Sequence, residues 1–327
     1  LTIVFIDEQI DAWRLLNPMF RLILRKENLT IMDRSSFLKI IAMMSLSGVS
    51  SNLNALSKLA ESFASTDPWP VYFFGHGSPM NAIEQNEFSL EWQRIGKNLP
   101  KPNAILCISA HWLTKGTFVT AMEQPKTIHD FGGFPQELFD VNYPAPGSPL
   151  LSRETANVVK DISVGMDESW GLDHGAWSVL KHLYPNADVP VIQMSIDYHQ
   201  PASFHYQLGK QLAALRRKGI LIIGSGNMVH NLGMVAWDKM DVDNYAYDWA
   251  TEANDKMKSY IEHFQHQSLI DYNKQGKAFE LAIPTPDHYF PMLYTLALQD
   301  KNEAVHLFND KAVMGSLTMT SFRIGKD

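Results

Sequence analysis

Beyond residue 70 the chain alternates two textures. Short, largely apolar runs occur at Val71–Phe74, Ala104–Ser109, Val191–Ile196 and Ile220–Ile223. Each is too short for a helix, and their branched and aromatic residues suit buried strands. Between them lie stretches with helical spacing. Ser148–Val159 opens with a serine suited to an N-cap and a proline suited to the first turn. Ala176–Leu183 reads as a short helix. Over Pro201–Arg217 the apolar positions Phe204, Leu208, Leu212 and Leu215 fall on one face, and Gly219 supplies a stop. Tyr247–Phe264 and Pro291–Leu298 read as further helices, and residues 316–325 as a closing strand. Strands alternating with helices predict an α/β fold: a single domain over 70–327, with a mostly buried central sheet and helices on both faces.

The polar, proline-punctuated stretch "STDPWP" (65–70) marks a boundary. Residues 1–69 are expected to be an N-terminal extension. Residues 1–31 precede Met32 and read as an over-extended start. Residues 32–51 combine Arg34, a short apolar core and small residues. That pattern suits either a helix packed on the domain or a degenerate twin-arginine-like export signal in which Ser35 replaces the second arginine. The expected location is cytoplasmic, with export as the alternative.

Composition narrows the chemistry. With 327 residues and a net charge of −7, the chain lacks the basic stretches of a nucleic-acid groove. No apolar run is long enough to span a bilayer. The single cysteine, Cys107, lies inside an apolar run, which reads as a small core residue and excludes a disulfide framework.

The 12 histidines say more. Three follow the ends of apolar runs: His76 in "YFFGHGSPM", His111 in "AILCISAHW" and His230 in "ILIIGSGNMVHN". In open α/β sheets ligands collect at the carboxyl ends of the strands, so these imidazoles are placed to converge on one rim. His174 in "WGLDHGAW" and His288 in "PTPDHYFPMLY" precede helices and could face the same rim. His129 and Asp130 lie on a glycine-rich loop, "IHDFGGFP", suited to a lid or substrate wall. By contrast His182, His199, His205, His263, His266 and His306 read as surface or structural residues. "GHGSP" is not a nucleophile elbow, and "GSGNMV" lacks the third glycine of a dinucleotide loop. What remains is a histidine-rich metal site open to substrate.

Taken together, "GHGSPMN", "SAHW", "TIHDFGGFP", "YPAPGSP", "WGLDHGAW", "GSGNMVHNL" and "PTPDHYFPMLY" resemble the 4,5-DOPA dioxygenase extradiol family, of the class III (LigB-type) ring-cleaving dioxygenases. The resemblance covers roughly residues 70–325. It implies one Fe(II) or Zn(II) per chain, with a small catechol and dioxygen as substrates. His76, His111 and His288 are then the implied metal ligands. His230 is a fourth histidine, serving as ligand or acid/base, and His174 is an acid/base or substrate contact. The protocatechuate branch pairs two histidines with a carboxylate. Here His288 occupies that third position, with Asp287 beside it.

Substrate contacts are expected from Trp112, His129, Asp130 and Asn227. An aromatic lining is expected from Trp112, Phe131, Phe134, Trp177 and Tyr289. Ser225 and Asn227 are candidates to fix an imidazole tautomer. Two other readings fit the same histidines: a zinc hydrolase on the same scaffold, and a binding module without turnover.

Overall fold

The computed structural model describes residues 66–326. The readings of residues 1–31 and 32–51 lie outside this range. Ten strands are present among the described residues: β1 (Val71–Gly75), β2 (Ala104–Thr114), β3 (Thr117–Thr120), β4 (Val164–Asp167), β5 (Val191–Asp197), β6 (Ile220–Gly226), β7 (Val305–Phe308), β8 (Ala312–Val313), β9 (Leu317–Thr318) and β10 (Ser321–Ile324). The longer helices are α1 (Glu87–Asn98), α2 (Pro149–Val158), α3 (His174–Leu183), α4 (Ala202–Gln211), α5 (Asp248–Glu262) and α6 (Phe290–Leu296).

Eight strands form one mixed sheet in the order β4-β3-β5-β2-β6-β1-β10-β7. Its centre is parallel: β5 with β2, β2 with β6, and β6 with β1. Side chains alternate across it. Val71, Phe73, Leu106, Ile108 and Ile222 pack on one face with Leu208 of α4, Met257 of α5 and Leu293 of α6. Tyr72, Phe74, Ile105, Cys107 and Ile223 pack on the other with Trp92 of α1 and Leu180 of α3. This is the α/β sheet, covered on both faces, that the apolar runs imply.

Local capping matches the sequence. Ser148 Oγ accepts from the Leu151 amide at the start of α2, and Asp173 caps α3 through the Ala176 amide. Three expectations are corrected. The closing stretch is two strands, β9 and β10, rather than one. The helix expected over 201–217 breaks after Gln211, and a separate short turn covers Ala213–Arg216. β2 runs past Ser109 to Thr114, with its pairing to β5 shifting register between Ile108 and Leu113. That irregularity contains His111. Local disruption of a ladder is a common way to re-aim a side chain at a sheet rim.

Candidate metal centre

The ends of β1, β2 and β6 lie side by side, with Gly75 opposite Gly226 and Ser109 opposite Ser225. His76 follows β1, and its amide donates to the Gly226 carbonyl at 3.0 Å. Its own carbonyl accepts from Asn81 Nδ2 at 2.9 Å, which ties down the "GHGSPMN" loop.

Four imidazoles converge here. The His76 ring centroid lies 5.0 Å from His111, 5.5 Å from His174 and 5.3 Å from His288. His111 and His174 are 3.9 Å apart. His230 stacks on His288 at 3.5 Å with the planes 8° from parallel. His76, His111 and His174 each place a ring nitrogen within 4.8 Å of the other two, a spacing that could hold a metal ion.

Tautomers follow from the Nδ1 partners. Ser225 Oγ donates to the Gly175 carbonyl at 2.6 Å. Its one proton being used there, it accepts from His76 Nδ1 at 2.9 Å. His76 Nε2 is left bare, 3.1 Å from His111 Nε2. Asp130 Oδ2 stands 3.4 Å from His111 Nδ1 and 3.0 Å from His174 Nδ1. Asp287 Oδ2 takes His288 Nδ1 at 2.5 Å. Three Nδ1 partners therefore turn Nε2 lone pairs inward.

Electrostatics agrees. Burial, and then the neighbouring histidines, push His76 and His111 well below the ordinary imidazole pKa. Burial, then His288, lowers His230 to about 3. Burial alone would raise Asp130 and Asp287, but hydrogen bonds to His174 and His288 outweigh it and hold both carboxyls below their usual range. Neutral imidazoles beside ionised carboxylates are the protonation states a divalent cation requires. His76 Nε2 and His111 Nε2, 3.1 Å apart, share a proton when His111 is protonated at Nε2 and offer two lone pairs to a cation when it is protonated at Nδ1, so the donor set fits a metal.

Glycines bring these segments together. A Cβ on Gly226 would stand 2.1 Å from the His288 carbonyl oxygen. One on Gly175 would stand 2.9 Å from His111 Cδ2. Their small size serves contacts within the protein, between the segments that carry the histidines.

The remaining site candidates divide. Phe131 meets His174 edge-on at 5.6 Å, and Phe134 packs on Phe131 at 5.4 Å, so the "IHDFGGFP" loop walls the cluster. His129 supports that wall, its Nε2 lying 3.0 Å from the Val141 carbonyl. Trp177 supports it too, its indole N–H donating to the Ile128 carbonyl at 2.8 Å. Trp112 stacks on Trp170 at 5.6 Å. Asn227 bridges backbone, with Nδ2 donating to the Thr318 carbonyl at 2.8 Å, and Ser225 alone of the two tautomer candidates reaches an imidazole. Tyr289 belongs to the core, its hydroxyl donating to the Leu269 carbonyl, rather than to the aromatic lining.

Sequence reasoning gave no role to Asp287 or Asp173. Asp173 is fully buried. It accepts from Ser109 Oγ at 2.6 Å and Gln193 Nε2 at 2.7 Å, fastening the start of α3 to β2 and β5.

Residues 70–319 match the family described as the catalytic LigB subunit of aromatic ring-opening dioxygenase. The chain belongs to this family, and with it to the extradiol dioxygenases. It is 47% identical over 261 residues to a 4,5-DOPA dioxygenase extradiol of Escherichia coli (strain K12), covering 78% of this chain and 94% of the relative. A Beta vulgaris protein of the same name is 34% identical over 263 residues, covering 77% and 95%. The crystal structure of an uncharacterized protein from Escherichia coli K12 superposes with a TM-score of 0.68 at 42% identity, covering 79% of this chain and all of that one. No helix among the described residues is long and apolar enough to cross a membrane.

Proposed function

We propose that this dioxygenase opens a catechol ring beside one of its two hydroxyls, with DOPA-like 4,5-cleavage as the reaction. The observation that carries this is the convergence of His76, His111, His174 and His288, three of them with Nδ1 partners that leave Nε2 free to face inward.

In this reading His76, His111 and His288 hold one divalent ion, with His230 stacked behind His288 as a fourth histidine. Iron(II), when bound, would supply the charge that favours an ionised catechol and the redox chemistry for dioxygen, whereas zinc would supply charge alone. His174 then acts as base, its bare Nε2 accepting the proton of a catechol hydroxyl. The resulting imidazolium, steadied by Asp130, returns that proton as an acid later in the reaction. His230 is the second candidate for this proton work. Phe131 and Phe134 shield the site from water and present an aromatic face to the ring. Trp112, His129 and Asn227 complete the proposed substrate surroundings.

The test is turnover by metal-stripped protein reloaded anaerobically with iron(II) or zinc. L-DOPA is added, oxygen is admitted, and oxygen uptake is followed together with yellow product. Oxygen consumed one-to-one with catechol by the iron form is the expected result. No uptake with any of several catechols, despite one tightly held metal, would overturn the reading in favour of a zinc hydrolase or a binding role.

A further inference from the structure

Asp130 stands on an exposed loop, yet its side chain is only 17% exposed because the carboxylate turns inward. Oδ1 accepts the backbone N–H of His174 at 2.9 Å. Oδ2 lies 3.0 Å from Nδ1 of the same histidine. Both oxygens are thus committed to one residue, 44 positions away in sequence. This is a different use from the substrate contact expected of Asp130.

The backbone N–H can only donate, so the role of Oδ1 is fixed. An ionised carboxylate has no proton to give, so Nδ1 must carry the proton of the imidazole. Phe131, the next residue, packs edge-on against the same ring and limits its rotation. We infer that Asp130 is a positioning residue, holding His174 in the Nδ1–H tautomer so that a bare Nε2 faces the metal centre. This rests on the reading of His174 as the acid/base group.

The geometry makes an unusual demand of two variants. In Asp130→Asn the His174 backbone N–H still requires Oδ1, so the amide Nδ2 must face His174 Nδ1. An amide nitrogen only donates, so His174 is driven to the Nε2–H tautomer, with its proton pointing at the cluster. In Asp130→Ala no partner is present and both tautomers are populated. The asparagine variant, closer in shape, should therefore be the worse enzyme.

The test uses the full chain loaded with metal, with activity normalised to bound metal because Oδ2 also lies 3.4 Å from His111 Nδ1. Asp130→Asn should lower kcat for L-DOPA by roughly 10²–10⁴-fold with KM nearly unchanged, and Asp130→Ala by about tenfold. In parallel, nitrogen-15 NMR of His174 in the zinc-loaded protein should show Nδ1 protonated in the parent, Nε2 protonated in Asp130→Asn and a mixture in Asp130→Ala. A retained Nδ1–H signature in both variants, or greater activity in the asparagine variant than in the alanine one, would overturn the assignment. The NMR arm needs no turnover. If the parent opens no catechol, the functional reading fails while the tautomers still decide the role of Asp130. If Asp130→Asn does not fold, a single Nδ1–H species in Asp130→Ala would be sufficient to reject it.

Discussion

Ser225→Ala probes how the metal centre is held together. The hydroxyl is fully buried and serves two groups, donating to the Gly175 carbonyl at 2.6 Å and accepting from His76 Nδ1 at 2.9 Å. Its removal orphans the imidazole N–H, while the Gly175 carbonyl keeps its intrahelical partner within α3. A buried orphaned donor costs about 1–3 kcal/mol, which the metal-free protein should lose. For a domain of this size that is a fall in Tm of roughly 2–12 °C. A separate effect falls on the metal. With no acceptor at Nδ1, His76 divides between tautomers, and the one carrying a proton on Nε2 cannot ligate. Loss of an outer partner of a ligating histidine weakens metal affinity by about 10–100-fold. Competition against a graded chelator, using cobalt(II) or zinc, measures the second effect, and thermal melting of the metal-free protein measures the first. A variant that melts lower but holds metal within twofold of the parent would refute the tautomer reasoning and leave Ser225 a packing residue.

Other expectations separate the parts of the site. His76→Ala and His111→Ala should each abolish metal retention and turnover, while His174→Ala should keep the metal and lose turnover, read by metal analysis and oxygen uptake. Gly226→Ala should cost roughly 3 kcal/mol or more, since its Cβ would stand 2.1 Å from the His288 carbonyl. Gly132→Ala, with no atom within 4 Å of the new methyl, should melt like the parent. The metal-free protein should weaken as pH falls from about 6.5 towards 4. Burial holds His205 and His266 each at about 4, against 6.5 for a free imidazole, and lowers His76, His111 and His230 in the same direction. The unfolded chain therefore takes up protons first, so their contribution is complete above 6.5 and lost below it. A Tm unchanged between pH 7 and 5 would contradict this.

Much of the fold was legible because strand and helix signals are local. Four apolar runs named the parallel centre of the sheet, and spacing named the helices that cover it. The edge strands β4 and β7, and β3 next to β4, were not legible, since VGMD, VHLF and TFVT are interrupted by polar or small residues where the strands that were read are continuous apolar runs. Histidines at strand ends marked the rim, for strand direction and residue order alone place them there.

What sequence could not assign is which group faces which nitrogen. The chain contains two Asp-His pairs of identical appearance, Asp173-His174 and Asp287-His288. In the second, the carboxylate binds its own neighbour at 2.5 Å. In the first, Asp173 turns away to Ser109 and Gln193, and His174 is served instead by Asp130 from a distant loop. His76 likewise depends on Ser225, 149 residues away. The register irregularity that carries His111, and the glycines that let the His288 segment lie against β6, belong to the same class. By itself the sequence determined which histidines gather at one end of the sheet. Only the tertiary structure decided which nitrogen of His76, His174 and His288 is bare, because a tautomer is set by a hydrogen-bond partner, and for His76 and His174 that partner comes from a distant strand or loop.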